Sequence, residues 1–137
     1  MKVSDATLLR MWGKIVKLKA GNKCEYPGCT VNATQLHPHH YYNKKNQSVR
    51  YDPLNGICLC HIHHTNGNEA AHLDPDFKEK WLSSGKRPEG WLQKLTDRKN
   101  QIVKNNQFYR ENWKINLKVI LEMLNSNKRI DYNNLPF

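Results

Sequence analysis

The sequence predicts an α+β domain in which one helix precedes a short region of strands and turns, and a helical tail follows. Apolar residues recur at helical spacing up to Gly21, short extended pieces separated by turn-forming residues fill the middle, and helical spacing returns after Asp74. The 137 residues are about the length of one domain. We therefore treat 1–137 as a single domain with an N-terminal helix (1–21), a central core (22–73) and a helical tail (74–137).

The first helix is expected to begin after Ser4, because a serine side chain can accept a hydrogen bond from a backbone N–H of the first turn. Gly21 is expected to end it. Its apolar residues recur at helical spacing and predict one packing face, formed by Leu8, Leu9, Met11, Trp12, Ile15, Val16 and Leu18.

The middle of the chain is predicted to hold two strands, 34–40 and 56–60. The pair Pro27-Gly28 is typical of a tight turn, and Asp52-Pro53 interrupts regular structure before the second strand. Helical signals return at about His61 and pause at Gly67.

Three helices are predicted in the tail. The first begins at Asp74, where an N-cap aspartate is followed by proline, and the others cover 88–103 and 107–125. Trp81, Trp91 and Trp113 are spaced with leucines and are expected to pack in the core. The tail is basic, but its charges are spread around the helices, as on solvated faces.

The charge balance favours an anionic polymer as partner. Lysine and arginine number 22 against 12 aspartates and glutamates, which gives a formal net charge of +10 and favours nucleic acid over an anionic membrane. The apolar runs are far shorter than the roughly 20 residues of a membrane span, and the first residues lack an apolar signal-peptide core. We expect a soluble protein of the cytoplasm.

Cysteine and histidine are concentrated in the centre, since the cysteines lie between 24 and 60 and all seven histidines lie between 37 and 72. In a reducing compartment such clusters indicate metal ligands more than disulfides. The spacings C-x4-C and C-x2-H predict a structural zinc site formed by Cys24, Cys29, Cys60 and His63. A four-cysteine site that includes Cys58 in place of His63 is the alternative, although Cys58 fits better as a small core residue.

A second cluster carries a resemblance to a known family. The run from Leu36 to His40 ends in the doublet His39-His40, the run from Asp52 to Cys60 contains Asn55, and His64 follows. In this order the residues resemble the core of the HNH endonucleases, also called ββα-metal or His-Me finger nucleases. The resemblance covers about 24–72, and the basic tail is similar, less specifically, to small phage and prophage HNH proteins.

The resemblance implies a ββα-metal core braced by the zinc and an activity, the metal-dependent hydrolysis of DNA to 5′-phosphate and 3′-hydroxyl ends. His39 and His64 would bind one catalytic divalent metal, His40 would be the general base, and Asn55 would orient the loop and the base. Imidazole ligands should accept manganese, nickel, cobalt or zinc as well as magnesium. Asn68, His72 or water would supply a third ligand. The expected location becomes the cytoplasm of a bacterial cell or of a phage-infected host.

The polar loop 41–50 lies between the doublet and the asparagine and carries Lys44, Lys45 and Arg50. We expect these residues to contact the DNA backbone, with Arg50 near the scissile phosphate because a planar guanidinium suits phosphate oxygens. A solvated connection is the alternative for the two lysines. His37 and His61 are expected to be ordinary polar residues.

The alternative function is a zinc-stabilised DNA-binding or packaging accessory protein that has this fold but does not cut. The presence of His40 argues against it, because a binding module needs no positioned base. The sequence leaves open the DNA specificity, the choice between nicking and double-strand cutting, and the choice between monomer and homodimer.

Overall fold

The structure, a computed structural model, describes residues 2–30 and 35–126. It confirms the α+β prediction, since helices accompany one small antiparallel sheet. In chain order the elements are α1 (Asp5–Lys19), β1 (Leu36–His40), β2 (Gly56–Cys60), α2 (Phe77–Leu82), α3 (Trp91–Lys99) and α4 (Gln107–Asn125). A 3-10 turn, Pro53–Asn55, precedes β2, and a π-helical turn, Ile62–Asn66, follows it.

Both ends of α1 are formed by the residues that the sequence predicts. The Ser4 side chain accepts a hydrogen bond from the Thr7 N–H at 3.1 Å, which satisfies a donor of the first turn. Gly21 has φ 66°, a left-handed conformation that glycine adopts without strain. The next N–H, of Asn22, donates to the carbonyl of Lys17 at 2.9 Å and closes the helix end.

The sheet pairs β1 with β2 in an antiparallel register in which His40 lies opposite Gly56 and Leu36 opposite Cys60. The second strand has the predicted bounds. The first begins at Leu36, and Thr34, where the prediction began it, lies outside the described residues. The register places the histidine doublet beside the start of β2.

Two of the tail helices are shorter than predicted, whereas α4 has the predicted bounds. The carboxylate of Asp74 accepts the N–H of Asp76 at 2.9 Å in a turn, so α2 begins at Phe77 and not at the proline. Gly90 has φ 86° and is not helical, so α3 cannot include the residues before it.

The helix α1 lies between the sheet and α4. On its sheet side, Trp12 and Val16 pack against Cys58 of β2. On its other side, α1 packs against α4 through apolar residues that include Leu8, Ile15, Trp113, Leu117 and Ile120. The opposite face of the sheet packs against α2 and α3, through residues that include Ile57, Leu59, Phe77, Trp81, Trp91 and Leu95. The three tail tryptophans are buried, as predicted.

Gly56 allows α1 to approach the sheet closely. A Cβ atom at this position would lie 2.1 Å from Cγ2 of Val16, which is far inside van der Waals contact. The glycine therefore sets the distance between α1 and β2, and with it the position of the doublet on the neighbouring strand.

Along residues 2–30 and 35–126, the helices are all too short or too polar to cross a bilayer.

Candidate functional site

The four predicted zinc ligands come together. One ligand atom each from Cys24, Cys29, Cys60 and His63 lies within 4.8 Å of the other three. The cysteines at 24 and 29 come from the loop after α1, Cys60 ends β2, and His63 lies in the π-helical turn. The cluster thus joins three parts of the core.

The spacing inside this cluster fits a tetrahedral zinc ion. With usual zinc–sulfur and zinc–nitrogen distances, the sulfur and nitrogen ligands of a tetrahedron lie about 3.5 Å apart. Nδ1 of His63 lies 3.2 Å from Sγ of Cys60 and 3.7 Å from Sγ of Cys24. These four residues could therefore hold a zinc ion.

The loop before the sheet is shaped for this arrangement. The Tyr26 N–H points to Sγ of Cys24 at 3.5 Å, and the Cys29 N–H donates to the Tyr26 carbonyl at 3.1 Å, so a tight turn separates the two cysteines. The Tyr26 ring stacks on the His63 ring with the centroids 4.0 Å apart and the planes 3° apart. The ring contact holds the imidazole toward the sulfurs.

Cys58 lies outside this cluster. It is fully buried against α1, as expected of a small core residue. Burial raises the pKa of its thiol to about 11 and that of Cys24 to about 12. Without a metal ion neither side chain is therefore a thiolate at neutral pH, and Cys24 would lose its proton on binding zinc.

A second cluster is formed by His39, His64 and His72. Their ligand atoms also lie within 4.8 Å of one another, and Nε2 of His64 is 3.0 Å from Nε2 of His72. Two imidazole nitrogens on adjacent positions of one metal ion lie about 3.0 to 3.4 Å apart. The three rings meet edge to face, with centroids 4.6 to 5.2 Å apart. Of the two residues that the sequence leaves open as the third ligand, His72 joins this three-histidine group.

The backbone ties the two clusters together. The N–H of Ala71 donates to the His63 carbonyl at 2.8 Å, and the N–H of His72 donates to the His64 carbonyl at 3.1 Å. His63 and His64 are neighbours in one turn, so one imidazole turns to the cysteines and the next turns to the other histidines. The same short segment positions a ligand of each group.

His40 lies on the face of β1 opposite to His39, because side chains alternate along a strand. Its ring stacks on Trp12 of α1 with the centroids 3.8 Å apart and the planes 10° apart. Its Nε2 lies 2.9 Å from the carbonyl oxygen of Arg50. A carbonyl only accepts hydrogen bonds, so Nε2 carries the proton in the neutral ring and Nδ1 keeps its lone pair.

The histidines of both faces are held neutral near neutral pH. Burial lowers the pKa of His40 to about 4. Burial, followed by the charges of the other histidines, lowers the pKa of His39 to about 3 and that of His64 to about 4. Neutral imidazoles are the form that binds metals and accepts protons.

Asn55 holds the loop 41–50 in place. Fully buried, it accepts the Tyr42 N–H at 2.7 Å through Oδ1, and its Nδ2 donates to the carbonyls of Tyr42 at 2.9 Å and Val49 at 3.3 Å. The peptide after Val49 belongs to Arg50, whose carbonyl fixes His40. Asn55 thus acts on His40 through the loop backbone and does not touch the ring.

The three-histidine group and His40 open into one cleft of about 520 Å³ between α1 and α2. Trp12 and Leu9 form the α1 side, and Phe77 and Lys78 form the α2 side. Lys44 also lines the cleft and adds a positive charge to it. The arrangement brings four imidazoles to one solvent-accessible space of positive character.

The side chain of Arg50 pairs with Asp5 of α1. Its Nε and Nη2 donate to the two carboxylate oxygens of Asp5, each at 2.7 Å, and its Nη1 donates to the Lys44 carbonyl at 3.0 Å. The guanidinium that we expected near a phosphate is thus bound to α1. The contact of Arg50 with His40 is made by its backbone carbonyl. Lys45 is exposed, but it does not line the cleft.

His37, which was expected to be an ordinary polar residue, also lies in this region. Nδ1 of His37 lies 2.9 Å from Nδ1 of His64, on the ring atom opposite to the one near His72. The signal that could have found it is the strand period, because residues two apart on a strand share a face. By that rule His37 lies on the face of β1 that carries His39.

Comparison with protein-family models, with curated proteins and with solved structures finds no match for this chain.

Proposed function

We propose that the chain is a metal-dependent endonuclease that hydrolyses phosphodiester bonds in DNA, of the HNH type that its motifs resemble. The observation that carries the proposal is the shared cleft: His40 and the group His39, His64 and His72 line the same space. A nucleophile activator, a metal site and an orienting network are the parts that a hydrolytic site needs together. The net charge of +10 supports an anionic substrate.

In this proposal His40 is the general base. Its Nδ1 takes a proton from the attacking water as the water oxygen bonds to phosphorus and the bond from phosphorus to the 3′-oxygen breaks. The 3′-oxygen takes a proton from solvent, and the products carry 5′-phosphate and 3′-hydroxyl ends. The Arg50 carbonyl and the Trp12 ring keep the imidazole in the tautomer and orientation that this step requires.

The three-histidine group is the proposed site of the catalytic metal, and a divalent ion there would stabilise negative charge on the phosphate and on the leaving oxygen. The group offers nitrogen ligands, which manganese, nickel, cobalt and zinc accept more readily than magnesium does. We therefore expect magnesium to support the slowest cleavage.

The cluster of Cys24, Cys29, Cys60 and His63 is the proposed structural zinc site. Four protein ligands leave no coordination position for a substrate, which is typical of structural zinc. Its role is to fix the turn that carries His64.

The test is cleavage of supercoiled plasmid by zinc-loaded protein with added manganese, nickel or magnesium. The native protein is compared with His40→Ala and with His61→Ala, which removes an imidazole outside both clusters. We expect the native protein and His61→Ala to cut and His40→Ala to lose at least a hundredfold in rate. If none of the three cuts although all bind DNA and retain zinc, the proposal fails and the accessory-protein alternative replaces it.

A further inference from the structure

Two lysines from different helices converge on a pair of tyrosines beside the cleft. Nζ of Lys78, on α2, lies 4.7 Å from the ring centroid of Tyr41 and 5.0 Å from that of Tyr42. Nζ of Lys99, at the end of α3, lies 4.9 Å from the ring centroid of Tyr42. The tyrosines directly follow His40 in the chain, so this lysine–tyrosine cluster adjoins the candidate active site.

In the described part of the chain, the two ammonium groups have no ion pair with an acidic side chain. Within residues 2–30 and 35–126, the ion pairs use Arg50, Lys80, Arg87 and Arg98 as the cations, and neither Lys78 nor Lys99 takes part in one. Burial and the charge of Lys99 lower the pKa of Lys78. Two like charges are held near each other, and an anion between or above them would relieve their repulsion.

The tyrosines hold these charges in fixed positions. A cation over an aromatic ring is attracted by the ring quadrupole, which restricts a side chain that is otherwise flexible. The Tyr42 hydroxyl lies 2.8 Å from Oγ1 of Thr96 on α3, so the ring itself is tied to the helix that carries Lys99. Ordered ammonium groups lose less side-chain entropy when they bind an anion than free lysines do.

The cluster shares a residue with the cleft. Lys78 lines the cleft together with His39, His64 and His72, and Lys99 contacts the same Tyr42 ring as Lys78. An extended polyanion with one phosphate at the three-histidine group would therefore meet Lys78, and Lys99 is the next ammonium group beside it. Arg50, which the sequence suggested for this task, is occupied by Asp5.

We propose that Lys78 and Lys99, held by Tyr41 and Tyr42, bind backbone phosphates of the DNA strand that enters the cleft. This inference rests on the proposed function for the identity of the polyanion. It assigns the positioning of the strand to α2 and α3, which lie outside the motifs that suggested a nuclease.

The test is equilibrium binding of a fluorescein-labelled duplex of 20 base pairs, followed by fluorescence anisotropy over a series of potassium chloride concentrations. Zinc-loaded protein is used without added catalytic metal, so that binding is measured without cutting. The variants are Lys78→Gln, Lys99→Gln and Lys114→Gln, the last removing an exposed charge on α4 as a control for net charge. The melting temperature of each variant shows that the fold is retained.

We expect Lys78→Gln and Lys99→Gln each to weaken binding about fivefold to tenfold at 0.1 M salt and to lower the salt slope by about one. Lys114→Gln is expected to change the affinity less than twofold. Lys78→Arg keeps the charge and should retain the native salt slope.

If Lys78→Gln and Lys99→Gln bind like Lys114→Gln, or if the native protein does not bind the duplex, the inference is wrong. The outcome for the nuclease proposal is separate. If DNA binding depends on the two lysines but the native protein does not cleave plasmid, this inference is supported and the nuclease proposal is contradicted. If the native protein cleaves plasmid but Lys78→Gln and Lys99→Gln bind DNA with unchanged affinity, the nuclease proposal is supported and this inference is contradicted.

Discussion

Nδ1 of His64 lies 2.9 Å from Nδ1 of His37, while Nε2 of the same ring faces His72. A neutral imidazole has one N–H and one lone pair. If Nε2 gives its lone pair to a metal, Nδ1 must carry the proton and donate it to His37. The histidine at 37 then fixes the tautomer and the orientation of a metal ligand without binding the metal itself.

Replacing His37 with alanine is therefore expected to weaken binding of manganese or nickel by the three-histidine group about 10-fold to 100-fold. The measurement is isothermal titration of zinc-loaded protein with either ion. His61→Ala is the matched control and should bind like the native protein. An affinity for His37→Ala within twofold of native, in a titration where His64→Ala abolishes binding, would contradict the role of His37.

Cys24→Ser and Cys58→Ala should separate the two possible zinc sites. Because Cys24 lies in the cluster and Cys58 lies in the core, the first is expected to lose zinc and the second to keep one ion per chain. Zinc content is measured by atomic absorption, and stability by thermal unfolding. Cys58→Ala should cost only about 1 kcal/mol. Loss of zinc from Cys58→Ala with a retained fold would favour the four-cysteine site.

The pair Asp5–Arg50 predicts a dependence of stability on pH. The hydrogen bonds from Arg50 hold the pKa of Asp5 at about 2, below its usual 3.8. The carboxylate therefore stabilises the fold above about pH 4, and this contribution is lost as the pH falls through about 2. The Asp5 side chain is partly exposed, so we expect about 0.5 to 1 kcal/mol at pH 7.

Urea unfolding of the native protein and Asp5→Asn at several pH values measures this contribution. The difference between the two should shrink as the pH is lowered from 4 to 2. In the double variant Asp5→Asn/Arg50→Gln, the second substitution should add little at pH 7. A difference that stays constant down to pH 2 would show that the pair does not contribute.

Gly56→Ala should destabilise the protein by about 1 to 3 kcal/mol, because the new Cβ meets the side chain of Val16. Truncating that neighbour makes room for it. In urea unfolding, the double variant Gly56→Ala/Val16→Ala is expected to lose less free energy of unfolding than the two single variants lose in sum. Strict additivity would contradict the close approach of α1 to β2.

The elements predicted with the right bounds are those in which local signals agree. α1 has a serine cap and a terminal glycine, and α4 begins after Asn106, whose side chain accepts the Tyr109 N–H at 2.9 Å. The start of α3 could not be predicted from periodicity, because it depends on the left-handed conformation of Gly90.

The cluster of Cys24, Cys29, Cys60 and His63 was predictable because the spacing within each pair of residues is local. The ion pair between Arg50 and Asp5 could not be predicted, because the two residues lie 45 positions apart in the chain. The sequence of a basic loop does not indicate which distant carboxylate it will contact. His72 joins the site only because the chain after the π-helical turn folds back onto the His64 carbonyl. A helical continuation would have pointed to Asn68 instead.

The adjacency of His63 and His64 has a consequence for the order in which the protein matures. Before zinc binds, the turn between the two clusters lacks the metal–ligand bonds that would restrain it further, and ordering it completely costs conformational entropy. If zinc binds first, that entropy is already lost, and a second ion would bind to the three-histidine group more favourably. If the chain cuts DNA as we propose, a newly synthesised copy has no nuclease activity until its fold is complete. A shortage of zinc would then also prevent this activity.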